Sequence, residues 1–198
     1  MHTRNAAYVL RCQELSRYAF DTARAQYGDD LLMTTVHGSW LYGTAHEHSD
    51  TDLYVVVDNV RTKQHVDADG LDVMRINTAA YFEQLSHGAH QAVEAHYSPY
   101  RLVNTNHPWA RMLMHTVPSA RGFVRKSLSA STAFRRRVAD ELVEQRLADP
   151  NSTIELMPGH NKTIGHAARL ETAASHVMHA GFAECTPVWI SHSTPSHH

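Results

Sequence analysis

The chain is short of the features that commit a sequence to a class at first sight. Cysteine occurs only twice, as Cys12 and Cys185, far apart and with no CxxC pair. That excludes a disulfide-stapled scaffold and a cysteine-built zinc site. A reducing, cytoplasmic setting is the simpler reading, ahead of one long-range disulfide. Long hydrophobic runs are also absent. The longest aliphatic stretch, such as Leu53-Tyr54-Val55-Val56-Val57, falls far short of the roughly 20 residues a spanning helix needs. The opening Met1-His2-Thr3-Arg4-Asn5 leads into a charged helical pattern and not into a secretory signal, so no membrane partner is expected. Nor is there an excess of one charge: the formal net charge of −2 excludes a uniformly basic nucleic-acid coat but leaves room for a local basic face.

What is present is an ordinary globular composition, 42% hydrophobic and 19% charged over 198 residues. A chain of that length buries about 70% of its unfolded surface without staples. Histidine is abundant, with 17 copies. Three lie between His192 and His198 among Ser, Thr and Pro, in what reads as a disordered tail.

Apolar spacing predicts a helix from Ala6 to about Tyr27, stopped by Gly28-Asp29-Asp30. Leu31–Val36 reads as a buried strand, and His37-Gly38-Ser39 as a break before a short helix from Trp40. A polar loop follows over 44–49, then a strand over Asp50–Asp58. Residues 61–70 read as a polar connection, Leu71–Ile76 as a third strand, and Thr78 as the N-cap of a helix through Leu85. Another helix spans about 89–97. Helices at roughly 107–115, 119–147 (in one piece or broken) and 161–180 follow, with Pro150 and Pro158-Gly159 marking the interruption between the last two. Neither an internal repeat nor a linker is visible. The expected fold class is α/β (α+β): a small mixed sheet in a core over 1–105 with an N-terminal helix, a helical part packed on it over 106–185, and a tail over 186–198.

One stretch stands above composition: Gly38-Ser39-Trp40-Leu41-Tyr42-Gly43, six residues, then Asp50-Thr51-Asp52-Leu53. A Gly-Ser turn between strand and helix exposes backbone N–H groups to an anion, and glycine lets the main chain approach a phosphate. Gly43 allows the chain to turn back. Asp50 and Asp52, two apart on a strand, share a face. Leu53, Val55 and Val57 are expected on the opposite face, in the core. Two adjacent carboxylates repel unless a cation lies between them, and hard oxygen ligands suit Mg²⁺ shared with phosphates. If the third strand pairs beside the second, Asp72 reaches the same cation. Three carboxylates and a phosphate-binding turn are the parts of a two-metal nucleotidyl-transfer site.

Gly38-Ser39 through Asp50-x-Asp52 resembles the signature of the DNA polymerase beta nucleotidyltransferase superfamily, including its Ser-to-Asp spacing. The chain further resembles the bacterial and phage group of RNA-repair-pathway polymerase-beta-like nucleotidyltransferases. That likeness runs through Asp72-Val73-Met74-Arg75-Ile76, through Val93-Glu94-Ala95-His96-Tyr97-Ser98-Pro99, and through a later helix with Lys162, His166 and Arg169. It covers about residues 33–181. Trp40 stands where the family often has a basic residue, and the chain is short for the group. The resemblance implies catalytic, metal-holding Asp50, Asp52 and Asp72, with Gly38 and Ser39 on the triphosphate. It also implies Lys162, His166 and Arg169 near the nucleotide; their i, i+4, i+7 spacing gives them one helix face.

The expected activity is Mg²⁺-dependent, with Mn²⁺ as an alternative, moving an NMP from an NTP to a hydroxyl with release of pyrophosphate. The acceptor expected first is an RNA 3′ end, tRNA-like. A protein hydroxyl comes second, and a catalytically idle nucleotide-binding module or a phosphoester hydrolase are the other readings. Lys162, His166 and Arg169 also fit a plain polar stripe, and Trp40 and Tyr42 fit core or loop packing. The segment 111–146 carries eight Lys/Arg against three acidic residues; it reads either as a solvated helix face or as a grip on RNA phosphates. His46 and His48 read as loop residues, or as ligands of a softer metal such as Zn²⁺ or Mn²⁺.

Overall fold

The computed structural model describes residues 6–43, 45, 49–60, 63–68, 71–149 and 156–182. His46, His48, Pro150, Cys185 and the histidine-rich tail lie outside the described residues. The fold is mixed α and β. Helix α1 (Ala6–Tyr27) ends in a 3₁₀ turn at Gly28–Asp30 and feeds β1 (Leu31–Val36). A five-residue helix, α2 (Gly38–Tyr42), leads to β2 (Thr51–Val57), β3 (Lys63–Ala68) and β4 (Leu71–Asn77). Helices α3 (Thr78–Ser86) and α4 (His90–Tyr97) follow, then β5 (Leu102–Val103), α5 (Ala110–His115), α6 (Ala120–Ala148) and α7 (Pro158–Ala180).

The five strands form one mixed sheet in the order β3-β4-β2-β1-β5. β1 runs antiparallel to β2 and β5, β3 antiparallel to β4, and β2 and β4 are parallel. The parallel pair needs a crossover between its strands, and β3 lies within it. The polar segment 61–70 is therefore not simply a connection: residues 63–68 pair as an edge strand, where polar sequence is the norm because it discourages further pairing.

β2 carries core on both faces. Val55 and Val57 pack with Leu31, Ala23 and the flanking Phe20 and Tyr27. Tyr54, on the Asp52 face, meets Tyr81 of α3 with ring centroids 6.1 Å apart. The expected division into an acidic face and an apolar face thus holds only at the start of the strand. Beyond Asp52 helices cover both sides, and the residues become uniformly apolar, as in a buried parallel strand.

Several boundaries shift for local reasons. β2 begins at Thr51, leaving Asp50 just before it. Asn77, not Thr78, caps α3: it is extended (φ −65°, ψ 140°) and its side chain accepts from Ala79 N at 2.9 Å. Thr78 is already helical and buried. α2 starts at Gly38 and not at Trp40, and α5 starts only at Ala110. α7 starts at Pro158, whose fixed φ suits a first helical turn. α6 runs unbroken for 29 residues. It is locked to α7 by Arg135, which donates to both carboxylate oxygens of Glu171 at 2.8 Å. This ion pair holds Glu171 down to about 2 and engages one cation of the basic 111–146 segment.

The start of α6 fits tightly against the turn between α3 and α4. A Cβ on Gly122 would stand 2.4 Å from the His87 carbonyl oxygen, and one on Gly88 2.1 Å from Phe123 N. Helix propensity alone favours Ala over Gly by about 1 kcal/mol. Gly122→Ala is expected to reverse that sign and cost about 1–3 kcal/mol through overpacking, read from urea unfolding. A variant as stable as wild type would show that this junction gives way easily.

Candidate functional site

The site forms where β1 hands over to α2 beside the start of β2. His37 N donates to the Asp52 carbonyl at 2.8 Å, tying the turn to the strand. Gly38 then adopts φ +57°, and a Cβ there would lie 1.8 Å from Asp52 Oδ2. The Asp52 carboxylate therefore occupies the space a side chain would take. Only glycine satisfies both the left-handed conformation and the contact. Gly43, at φ 77°, closes α2 with its N–H on the Ser39 carbonyl. From the other side Tyr8 of α1 donates to the Trp40 carbonyl at 2.6 Å, and its ring stacks on Trp40 with centroids 5.7 Å apart. Trp40 is thus engaged in packing.

The parallel register sets Asp52 directly beside Asp72 of β4. Aligned residues on neighbouring strands share a face about 4.8 Å apart. Asp50 is exposed just ahead of β2. Asp52 is half-buried, and its carboxyl is raised above 3.8, first by burial and then by the negative charges of Asp72 and Asp50, against the opposing pull of His37 and Lys162. The charges of all four neighbours are therefore felt at Asp52. The backbone register of β3 also sets Asp67 opposite Asp72, a position hidden at the sequence level by reading 61–70 as a connection.

The α7 face meets this region from above. Lys162 is exposed, with its charge felt at Asp52. Arg169 lies over the Tyr42 ring, 4.3 Å from guanidinium carbon to centroid. Its Nη2 is 2.7 Å from His166 Nδ1. A guanidinium can only donate, so that ring nitrogen accepts. Burial, then the Arg169 charge, pushes His166 down to about 4. His166 packs edge-on against Phe134 and His90, so it supports Arg169 as a neutral acceptor. Arg169 Nε is buried with no hydrogen-bond partner among the described residues.

Beneath α2 lies a set of buried ionisable groups that the sequence did not single out as functional. Glu94 of α4 is 3% exposed. It accepts from Tyr42 Oη at 2.5 Å and stands 3.3 Å from His37 Nε2. Burial alone would raise its carboxyl, but His37, with His90 and Tyr42, outweighs burial and holds it below 4.5. An acidic residue within an apolar helical stretch, Val93-Glu94-Ala95, was the available signal.

Among the described residues no three Asp, Glu, His or Cys side chains stand close enough together to hold a metal ion. The donor set nevertheless fits a divalent cation in kind. Asp52 has a raised proton affinity caused partly by two neighbouring carboxylates, and an added positive charge there relieves the repulsion. The open grooves along α6 and α7, one lined by Glu171 to Ala180 and the other by Arg137, Glu141 and His160, lie apart from these carboxylates.

Two outcomes follow. Gly38→Ala is expected to lower stability, with about 1–2 kcal/mol from the left-handed backbone alone and more from displacing Asp52, as read by thermal melting. For Asp52 the sign runs the other way. A carboxyl with a raised folded pKa costs no stability in acid, where both states hold the proton, and costs stability as pH rises through 3.8 and beyond. Asp52→Asn is therefore expected to melt above wild type at neutral pH and to lose that advantage in acid. Equal melting at neutral pH would contradict this electrostatic account.

Compared with models of protein families and with curated proteins, the chain matches none.

Proposed function

We propose that the chain is a nucleotidyltransferase that moves a nucleoside monophosphate from an NTP to an acceptor hydroxyl, releasing pyrophosphate. The observation that carries this reading is the lodging of Asp52 against Gly38, with Asp72 in register beside it and Asp50 immediately before the strand. A turn able to approach a phosphate and a group of carboxylates able to take a cation thus meet at one sheet end. Asp50, Asp52 and Asp72 would hold Mg²⁺, or Mn²⁺ in its place. When bound, the cation lowers the pKa of an attacking hydroxyl and neutralises the triphosphate.

The chain's own residues divide the remaining work. Gly38 leaves room for the Asp52 carboxylate to lie against the turn, and we assign the Ser39 hydroxyl to a phosphate oxygen. Lys162 places an exposed ammonium within electrostatic reach of Asp52, where it opposes charge built up by the triphosphate. Arg169, braced by Tyr42 and His166, has a buried Nε without a partner among the described residues; such a donor can be satisfied by an anion. His166 acts through Arg169. Asp72 takes the acceptor's proton or holds the ion beside it.

For the acceptor we favour an RNA 3′ end. The support is the exposed part of the α6 basic series, including Arg121, Arg125 and Arg137, on a long helix packed against α7. Arg135 is committed to Glu171, and Arg136 stands 3.7 Å from Asp140, so the RNA-facing charge is smaller than the sequence count. A protein hydroxyl is the second acceptor class, and an idle nucleotide-binding module is the reading without catalysis.

Asp50→Asn and Asp52→Asn each remove a carboxylate while keeping shape. Both are expected to lose NTP-dependent pyrophosphate release by about a thousandfold or more, because the chemistry rests on transition-state charge stabilisation, while circular dichroism stays native. Wild-type-like release in Asp52→Asn would remove this reading.

A further inference from the structure

We infer that Glu94 is a positioning residue: a buried clamp that holds both ends of α2 and so keeps the Gly38-Ser39 turn seated on Asp52. The inference rests on the nucleotidyltransferase reading for what the turn does, but its structural half stands on geometry alone.

α2 has only five residues, from Gly38 to Tyr42. Isolated helices that short do not persist in water, so its shape must come from outside. Its N-cap residue, His37, makes no side-chain capping bond within the helix. The His37 ring points instead to Glu94, 3.3 Å away, while its backbone N–H binds the Asp52 carbonyl. At the other end the Tyr42 hydroxyl donates to the same Glu94 oxygen, Oε2. One carboxylate oxygen thus touches both flanks of the turn, through a hydrogen bond from Tyr42 and a 3.3 Å contact with His37 Nε2. Both partners are largely buried, as is Glu94 itself.

The clamp is anchored on both sides. Glu94 sits in α4 between the core residues Val93 and Ala95, each 0% exposed. Tyr42 is covered by Arg169, and the His37 ring leans on Tyr54 with centroids 5.8 Å apart. Tyr54 lies two residues after Asp52 on the same face of β2. Movement of the Glu94 carboxylate is therefore passed to the turn through two side chains, and from Gly38 to Asp52 through direct contact. Buried ionised groups cost stability unless fully partnered; here the partners are the two ends of the element that needs fixing.

Glu94→Gln keeps size and an acceptor oxygen while removing the charge. Tyr42→Phe removes one donor and leaves the ring beneath Arg169. Two readouts on the full chain separate the halves of the inference. In hydrogen exchange without nucleotide, the amides of residues 38–43 are expected to exchange about tenfold faster in either variant, the size of a lost charge-assisted hydrogen bond. Exchange elsewhere in the sheet should stay at the wild-type rate. In assays with ATP and Mg²⁺, kcat/KM for pyrophosphate release is expected to fall by about tenfold, with Glu94→Asp, which keeps the charge at a shorter reach, recovering less than full activity but more than Glu94→Gln.

Unchanged exchange at residues 38–43 in both variants would overturn the clamp. Faster exchange there with unaltered kcat/KM would overturn its positioning role. General loosening of all strands would show that Glu94 serves the core as a whole, which also overturns it. Wild-type protein with no ATP-dependent activity, but with local loosening in the variants, would sink the nucleotidyltransferase reading and the positioning role built on it, and leave the clamp standing.

Discussion

The contact on which the rest of the site depends is between an acidic side chain and a missing one. The Asp52 carboxylate fills the volume where Gly38 has no Cβ, at a backbone conformation that side chains rarely adopt. Around it the chain builds in two directions. β2 continues inward as an apolar strand covered on both faces, which fixes Asp52 to a rigid base. α2 continues outward as a single short turn, whose few hydrogen bonds of its own are supplemented by contacts with β2, α1 and α4.

The electrostatics follow from that arrangement. Parallel pairing of β2 with β4 in matched register brings Asp72 beside Asp52, and the chain entering β2 brings Asp50. Negative charge thus gathers where burial already disfavours it, while Lys162 offsets only part of it. The accumulation opposes stability, and an added positive charge there would relieve it. Arg169 follows the same logic with opposite sign. It is held over Tyr42 by stacking and by a neutral histidine, and its buried Nε has no partner among the described residues.

Much of this was legible in the sequence for identifiable reasons. β1, β2 and β4 announce themselves as short aliphatic runs, and the amphipathic spacing of α1 and α7 is regular. The Gly38-Ser39 to Asp52 block was visible because all its parts lie within fifteen positions. Other elements carry no comparable signal. β3 is polar because it is an edge, and β5 is two residues long. Asn77 and Thr78 are both good caps, so only backbone geometry separates them. Glu94 meets Tyr42 across 52 positions, so no local periodicity predicts the pairing. The spacing of His166 gave its helix face but not its contact with Arg169, which depends on how α7 packs.

The most direct test of the central claim follows the phosphorus atoms. Purified protein is incubated with Mg²⁺, total tRNA and ATP labelled at either the α or the γ position. Nucleotidyl transfer with the favoured acceptor predicts α-label covalently on RNA and γ-label released in pyrophosphate. The contradicting result is γ-label on the acceptor, or γ-label released as inorganic phosphate with no α-label on RNA or protein. Either would mean that the carboxylates around Gly38 do not serve attack at the α-phosphorus.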